Sequence, residues 1–430
     1  METYSNIGGR SNVHPQFSDL SNPQIIETLQ KQNLASGGQE DPQQDQVQDQ
    51  NQESKFQIIK KQQIQLRESG CGPFHKLKEC HQLQEEGIQL LQQEPLWLSS
   101  VQNKSYLSIF FQGHYYVGQD TGFQYLNDTH VLDVNSSRWI KPKISGTPPP
   151  SRYGHSAVLA GSRIIIFGGK GPKGAVYRDL HALDPVTMTW YQGPEGGGAP
   201  SARFDHTANL VSGTKMFIFG GWNGNDFFND VYVLDLEIMA WSKPNCTGPA
   251  PSPRKGHCSI LIGTNLVVHG GFFFSDERMK KNGLGKMGSS LQECYLNDIR
   301  VLDTESFIWS RLRVSGSPPE HRFGHTMDVS GSDIILYGGW TKTSGARFKH
   351  EPTEESCDYF MIWSTDTMSW KRGQYIGNPP TSRFGHTSTA IGPHLLIFGG
   401  WEYTKAQNEI IVLRECTNKL MGEGEGEGNQ

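Results

Sequence analysis

An all-β fold built as a radial array of like units is what this 430-residue sequence predicts, on three observations. A short motif, Arg-x-Gly/Asp-His, recurs at Arg152–His155, Arg203–His206, Arg254–His257, Arg322–His325 and Arg383–His386. Each copy is followed by an apolar, β-rich run that ends in Gly-Gly, at Gly169, Gly221, Gly271, Gly339 and Gly400. Tryptophans close most units at 139, 190, 241, 309 and 370, spaced 51, 51, 68 and 61 residues apart. Three successive tryptophans keep one period and two later intervals carry insertions. Repetition with variable loops is the pattern of an array in which each unit packs on its neighbours.

The elements follow in order. Runs such as Ile164-Ile165-Ile166-Phe167 suit strands buried on both faces. The paired glycines after them allow backbone geometry or close approach that a Cβ would block. An Asn-Asp-type turn and an alternating strand come next, as in NDVYVLD ending at Asp235. The tryptophans are expected as wedges between units, each burying about 150–250 Å², an upper bound of roughly 4–6 kcal/mol. The first unit is degenerate: PLWLSSV, SYLSIFFQG and YLNDTHVLDV precede Trp139, with Gln112-Gly113 in place of Gly-Gly and no Arg-His pair. The last unit has no closing tryptophan after Leu413. Its fourth strand comes either from 415–421 or from an N-terminal segment such as FQIIKKQQIQL, which would clasp the ring.

This pattern resembles the kelch repeat over roughly three quarters of the chain. The resemblance implies a six-bladed kelch-type β-propeller over 95–421, with four-stranded blades around a central channel. If each unit runs as strands a, b, c and d, the d-to-a and b-to-c connections share one rim. The Arg-His motif and the Gly-Gly both fall there. So do the two long insertions, Phe272 to Leu296 (with FFF, Asp276-Glu277-Arg278 and Lys280-Lys281) and Trp340 to about Asp358. Long loops on a rigid ring are common binding elements, and aromatic and arginine side chains are common interface anchors. The candidate partner-binding residues are therefore Arg152, Arg203, Trp222, Phe272, Phe273, Arg322, Trp340, Arg383 and Trp401.

The expected function is a noncatalytic protein–protein scaffold, with other proteins in a multi-subunit assembly as partners. The expected setting is cytoplasmic, a cytoskeletal or ciliary axonemal complex being one candidate. Two alternatives stand beside it: a substrate receptor of a cullin-type ubiquitin ligase, though no BTB-like or F-box-like domain precedes the ring, and a vesicle-trafficking effector. Some kelch-like propellers are copper enzymes, but one histidine per repeat reads as architecture. No Gly-x-Ser-x-Gly elbow, phosphate loop or His-Glu-x-x-His occurs. No enzyme activity, metal, cofactor or small-molecule substrate is expected. Cys71, His75, Cys80 and His81 match no closed zinc spacing.

A net charge of −5 with no basic run argues against nucleic acid. No apolar stretch of 18 residues exists, so no membrane insertion is expected. Seven scattered cysteines fit reduced thiols. Residues 1–73 form a Gln-rich, irregular extension in which short helices and apolar islands (Ile25, Ile26, Phe56, Ile58, Ile59) are expected to dock on partners. Residues 74–94 read as an amphipathic helix, with Leu77, Leu83, Ile88 and Leu91 roughly in phase. Residues 422–430 are a flexible acidic Gly-Glu tail.

Overall fold

The computed structural model describes strands at Lys55–Gln62, Gln89–Leu91, Glu94–Leu98, Leu107–Phe111 and His114–Gly118, then the chain from 122 to 416. Excepted from that span are 134–137, 195–196, 277–290, 343–358, 377–380, 392–393 and 403–404. The fold is an all-β propeller. Its one helical element among the described residues is a 3-10 turn at Pro172–Gly174.

Five blades are each built from one consecutive stretch, one fewer than the sequence predicts. Blade I pairs Glu94–Leu98, Leu107–Phe111, Thr129–Asp133 and Arg138–Ile140 in order. Blade II is Ser156–Ala160, Arg163–Phe167, Leu180–Asp184 and Thr189–Gln192. Blade III is Thr207–Val211, Lys215–Phe219, Val231–Asp235 and Ala240–Ser242. Blade IV is Cys258–Ile262, Asn265–Asp276, Leu291–Asp303 and Ile308–Leu312. Blade V is Arg322–Ser330, Asp333–Thr341, Phe360–Ser364 and Ser369–Arg372. All these pairings are antiparallel, as tight turns between successive strands require.

The last repeat enters a composite sheet. Thr387–Ile391, His394–Phe398 and Ile410–Cys416 pair in order, and the outer position is taken by Lys55–Gln62, antiparallel to Ile410–Cys416. Of the two sources the sequence left open, the N-terminal one supplies this strand. The Gln-rich extension is thus interrupted by an ordered β element. The expected helix over 74–94 is also corrected at its end: Gln89–Leu91 is a strand paired with His114–Tyr116, and Glu94 opens blade I. Four apolar side chains in loose phase over a Gln-rich run do not outweigh a cross-strand partner. Residues 63–88, with Cys71, His75, Cys80 and His81, lie outside the described residues, as do 1–54 and 417–430.

The first strands of neighbouring sheets lie side by side around the axis, and 387–391 in turn lies against 94–98. The core is the set of interfaces between sheets. Val211, Phe217 and Phe219 of blade III pack on Leu266, Val268, Leu302 and Trp309 of blade IV. The tryptophan wedges are there: in four sheets the residue just before Gly-Gly meets the tryptophan of the next outer strand. Ring centroids are 5.1 Å apart for Phe167–Trp241, 5.2 Å for Phe219–Trp309, 5.8 Å for His269–Trp370 and 5.3 Å for Phe398–Trp139.

Candidate partner-binding rim

The Arg-His motif is built into the ring rather than presented on it. Arg152, Arg203, Arg254, Arg322 and Arg383 are all 0–1% exposed. Each guanidinium donates to the carbonyl of the first glycine of its own Gly-Gly, at 2.7–3.0 Å. Each also donates through Nε to the carbonyl two residues earlier. Four are paired with an acidic residue, Asp179, Asp230 and Glu409 just before the third strand and Asp298 within the lengthened third strand of blade IV. Asp358, the corresponding residue of blade V, lies outside the described residues. Burial works to raise the Asp179 carboxyl, but hydrogen bonds from Arg152 and His181 outweigh it and hold the group well below the usual carboxylate range. The structure therefore places Arg152, Arg203, Arg322 and Arg383 in the interior. A planar fork with five donors can reach two backbone carbonyls and a carboxylate at once, which is why arginine serves there.

The histidines join blades. His206 Nε2 meets Ser156 Oγ at 2.7 Å, His257 Nε2 meets Thr207 Oγ1 at 2.9 Å, and His386 Nε2 meets Thr326 Oγ1 at 3.0 Å. The partner is always the hydroxyl residue that follows the histidine of the preceding blade. Blade IV has Cys258 at that place, and His325 Nε2 instead meets Nδ1 of His269 at 2.9 Å. His269 stands where the sister runs carry Phe or Tyr before Gly-Gly. Burial is the main cause that pushes His155, His257, His269 and His386 down to about 3.

The third motif residue forms a belt. Asp205, Gly256, Gly324 and Gly385 each donate a backbone N–H to the carbonyl of the same position one blade earlier, at 2.7–2.9 Å. All sit at φ between +53° and +65°, the left-handed region that favours glycine. Asp205 is the exception in residue type.

Above this belt lies the rim. The second motif residue pairs with the residue just after Gly-Gly in every repeat: Tyr153 with Lys170, Phe204 with Trp222, Lys255 with Phe272, Phe323 with Trp340 and Phe384 with Trp401. Their rings form one continuous strip. Centroids are 5.7 Å apart for Tyr125–Tyr153, 5.8 Å for Tyr153–Phe204 and 5.3 Å for Phe204–Trp222, with Trp222 stacked on Phe227 at 5.4 Å. The strip continues through Phe272–Phe323 at 5.5 Å and Phe323–Phe384 at 6.1 Å to Trp340 against Phe384 at 5.3 Å. Lys255 replaces an aromatic in the strip, placing its Nζ 4.6 Å from the Trp222 ring and 3.1 Å from Asp205 Oδ2.

Of the predicted aromatics, Trp222, Phe273, Trp340 and Trp401 are half-buried at this rim, while Phe272 is 6% exposed and serves as the packing centre. The described ends of the first insertion are strands, and 277–290 lie outside the described residues. Asn265–Asp276 and Leu291–Asp303 continue as a paired hairpin out to Asp276 and Leu291, kinked by a bulge between His269 and Gly271. Phe272 and Phe274 point to one face, 4.9 Å apart, while Phe273 alternates to the other.

One recurring element escaped the sequence reading. A glycine stands six residues before the motif arginine in all five repeats, at 146, 197, 248, 316 and 377. In three of them the residues around it strap along the outer edge of the next blade. Ser145–Gly146 pairs parallel with Thr189–Trp190, Ser315–Gly316 with Ser369–Trp370, and Thr247 bridges Ile308. Gln374–Ile376 does the same to Lys55–Gln57. The invariant spacing was the available signal.

The ring, the interblade histidines and the aromatic rim define a repeat β-propeller, a protein-interaction fold. The chain belongs to the Kelch-repeat family: it matches the family model of the KLHDC2/KLHL20/DRC7 Kelch-repeats domain over 101–339 and 283–421. It is 27% identical over 314 residues to Host cell factor 1 of Rattus norvegicus, covering 67% of this chain and 15% of that protein. Human Host cell factor 2 is 28% identical over 67% of this chain and 38% of its own length. Acyl-CoA-binding domain-containing protein 5 of Arabidopsis thaliana is 41% identical over 49% of this chain and 30% of its own length. The chain thus spans well under half of these relatives. No helix among the described residues is long and apolar enough to cross a membrane.

Proposed function

We propose that this protein is a noncatalytic scaffold that docks protein partners on the aromatic rim, with the N-terminal extension as a second attachment. The observation that carries this reading is the unbroken strip of rings from Tyr125 to Phe384, half-buried for most of its length and flanked by the hairpin of blade IV. Clusters of rigid aromatics are the usual anchors of protein interfaces. The docking residues are Trp222, Phe273, Trp340 and Trp401. Arg152, Arg203, Arg322, Arg383 and Phe272 act by holding them in place. The composite sheet counts as a sixth blade in this reading, supported by the first strands lying in cyclic order and by Trp139 meeting Phe398. The setting is a multi-subunit cytoplasmic assembly of the cytoskeletal or axonemal kind.

Affinity capture from native extract tests it, comparing the full chain, a form lacking 1–54, and a Trp222→Ala/Trp340→Ala/Trp401→Ala variant shown by circular dichroism to be folded. One stable set of structural proteins, weakened in both altered forms, is the expected result. Recovery of cullin-type ligase subunits or vesicle-coat components would replace the scaffold reading with the receptor or trafficking one. Partner sets unchanged by the triple substitution would overturn the rim.

A further inference from the structure

Blade II breaks the aromatic pattern of the rim with a lysine. The residue just after Gly-Gly is Trp222, Phe272, Trp340 or Trp401 in the other motif-bearing repeats and Lys170 here. Its backbone is held as in its sisters: Lys170 and Tyr153 exchange both N–H···O bonds, at 2.8 and 2.9 Å. Its side chain is half-buried, with Nζ 5.1 Å from the centroid of the Phe204 ring. Lys255, the other lysine that stands where the repeats carry an aromatic, comes to the same ring from the next blade, at 5.3 Å. Phe204 itself is 1% exposed. Two ammonium groups therefore share one buried ring at the rim.

The two cations are not equally served. Lys255 has a carboxylate, Asp205 Oδ2 at 3.1 Å, and a second ring, Trp222, at 4.6 Å. Among the described residues Lys170 Nζ has neither an ion pair nor a hydrogen bond, and the face of Phe204 is its one electrostatic partner. A half-buried ammonium gives up part of its water, and a ring face returns only part of what that water supplied. The segment that follows adds Lys173, exposed in the turn Pro172–Gly174, and no acid before Asp179, which is itself paired with buried Arg152. In a chain of net charge −5, Lys170, Lys173 and Lys255 thus form a cationic lobe that holds one carboxylate, Asp205.

We infer that Lys170 is the seat of a carboxylate: the Asp or Glu side chain of an internal stretch of a partner polypeptide, whose apolar neighbours lie on the rings to either side. The inference rests on the rim being a docking surface. Charge complementarity sets the sign of the group. Asp205 already answers Lys255, so the seat has one charge to neutralise, which a carboxylate matches better than a phosphate dianion. The strip sets the group's place in the partner. Rings flank the lobe on both sides, Tyr125 and Tyr153 on one and Trp222, Phe227 and Phe274 on the other, so an occupant that covers them continues past the seat in both directions. A chain terminus would leave one flank bare.

Affinity selection from a synthetic library of random twelve-residue peptides, read by mass spectrometry and followed by fluorescence anisotropy, tests it on the full chain. Peptides retained by this chain and lost on the Trp222→Ala/Trp340→Ala/Trp401→Ala variant are expected to carry an internal Asp or Glu between apolar residues. In the leading peptide, replacing that acid by its amide should weaken binding about tenfold, Lys170→Ala in the protein should do the same, and both changes together should weaken it no further than either alone. Lys170→Glu, with its fold checked by circular dichroism, should turn the selection toward Lys or Arg at that position. Rim-dependent peptides without an acidic residue, an acid whose contribution survives Lys170→Ala, or a requirement met only by the free C-terminal carboxylate would each overturn the seat and leave the rim reading in place. A selection that yields no peptide dependent on the three tryptophans would overturn the rim reading itself, and the seat with it.

Discussion

At the scale of single residues, the ring is repaired where it departs from its own pattern. Cys258 cannot serve His325 as Ser156, Thr207 and Thr326 serve their histidines, and His269 takes over at 2.9 Å. Two substitutions in different strands thus compensate one another. His269→Phe alone leaves His325 Nε2 buried without a partner and should cost about 1–3 kcal/mol. Adding Cys258→Thr supplies the hydroxyl found in the sister blades and should recover about 1 kcal/mol or more of that loss. Urea unfolding of the four proteins of this cycle measures the coupling, and additivity within about 0.5 kcal/mol would mean that the two sites act independently. Asp205 and Lys255 form a similar pair: each departs from the residue type of its repeat position, and they meet at 3.1 Å.

At the scale of elements, the short strap contributes more than its length suggests, because its glycine faces a neighbour's carbonyl. Gly161 sits at φ +58° with nothing within 4 Å of a Cβ, whereas Gly248 sits at φ +79° against the Trp309 carbonyl. Gly161→Ala should cost about 1–2 kcal/mol from backbone conformation alone. Gly248→Ala should cost about 1–3 kcal/mol more, since the strap must shift off the outer strand. Thermal unfolding of both variants checks the order, and an equal or smaller loss at 248 would show that the strap is slack. The blades themselves were legible in the sequence because every strand boundary repeats a marked residue: Arg-His before the first strand, Gly-Gly after the second, Trp in the fourth. The strap was missed although its glycine keeps a fixed spacing before the motif arginine, because three residues before a proline show no strand-like alternation of their own. The strand at Lys55–Gln62 could be named only as one of two sources, since its partner Ile410–Cys416 is about 350 residues away and no local pattern specifies such a pairing. The site was half legible. Trp222, Trp340 and Trp401 are at the rim as their position after Gly-Gly implies, but arginine's usual place at surfaces misplaced Arg152, Arg203, Arg322 and Arg383. The acidic residue at the third strand of each repeat was the sign that they are paired.

At the scale of the whole molecule, hydroxyl and histidine links run from blade to blade, so any charge placed in the belt loads several interfaces at once. Burial holds His155, His257, His269 and His386 near 3, against about 6.5 for an exposed imidazole, and pushes His206 and His325 well down too. Unfolding therefore takes up protons between those limits. The stabilisation from neutral burial is complete above about pH 6.5 and is lost as pH falls toward 3, each histidine removing up to about 1.4 kcal/mol per pH unit. Asp328 acts in the opposite sense: burial raises it to about 6, so between 6 and 3.8 its protonation favours the folded chain; burial raises Asp333 as well, but these are two groups against six. Asp179 and Asp298, held low, begin to cost stability only below about 3.8. Chemical denaturation across pH 7.5 to 4.5 should show stability nearly flat above 6.5 and falling steeply below it, with more than one proton taken up per molecule. His386→Gln, which keeps a donor and an acceptor but does not titrate in this range, should make the fall shallower. A flat profile down to pH 4.5, or the same slope in that variant, would mean that the histidines leave the ring before it opens and do not govern its acid stability.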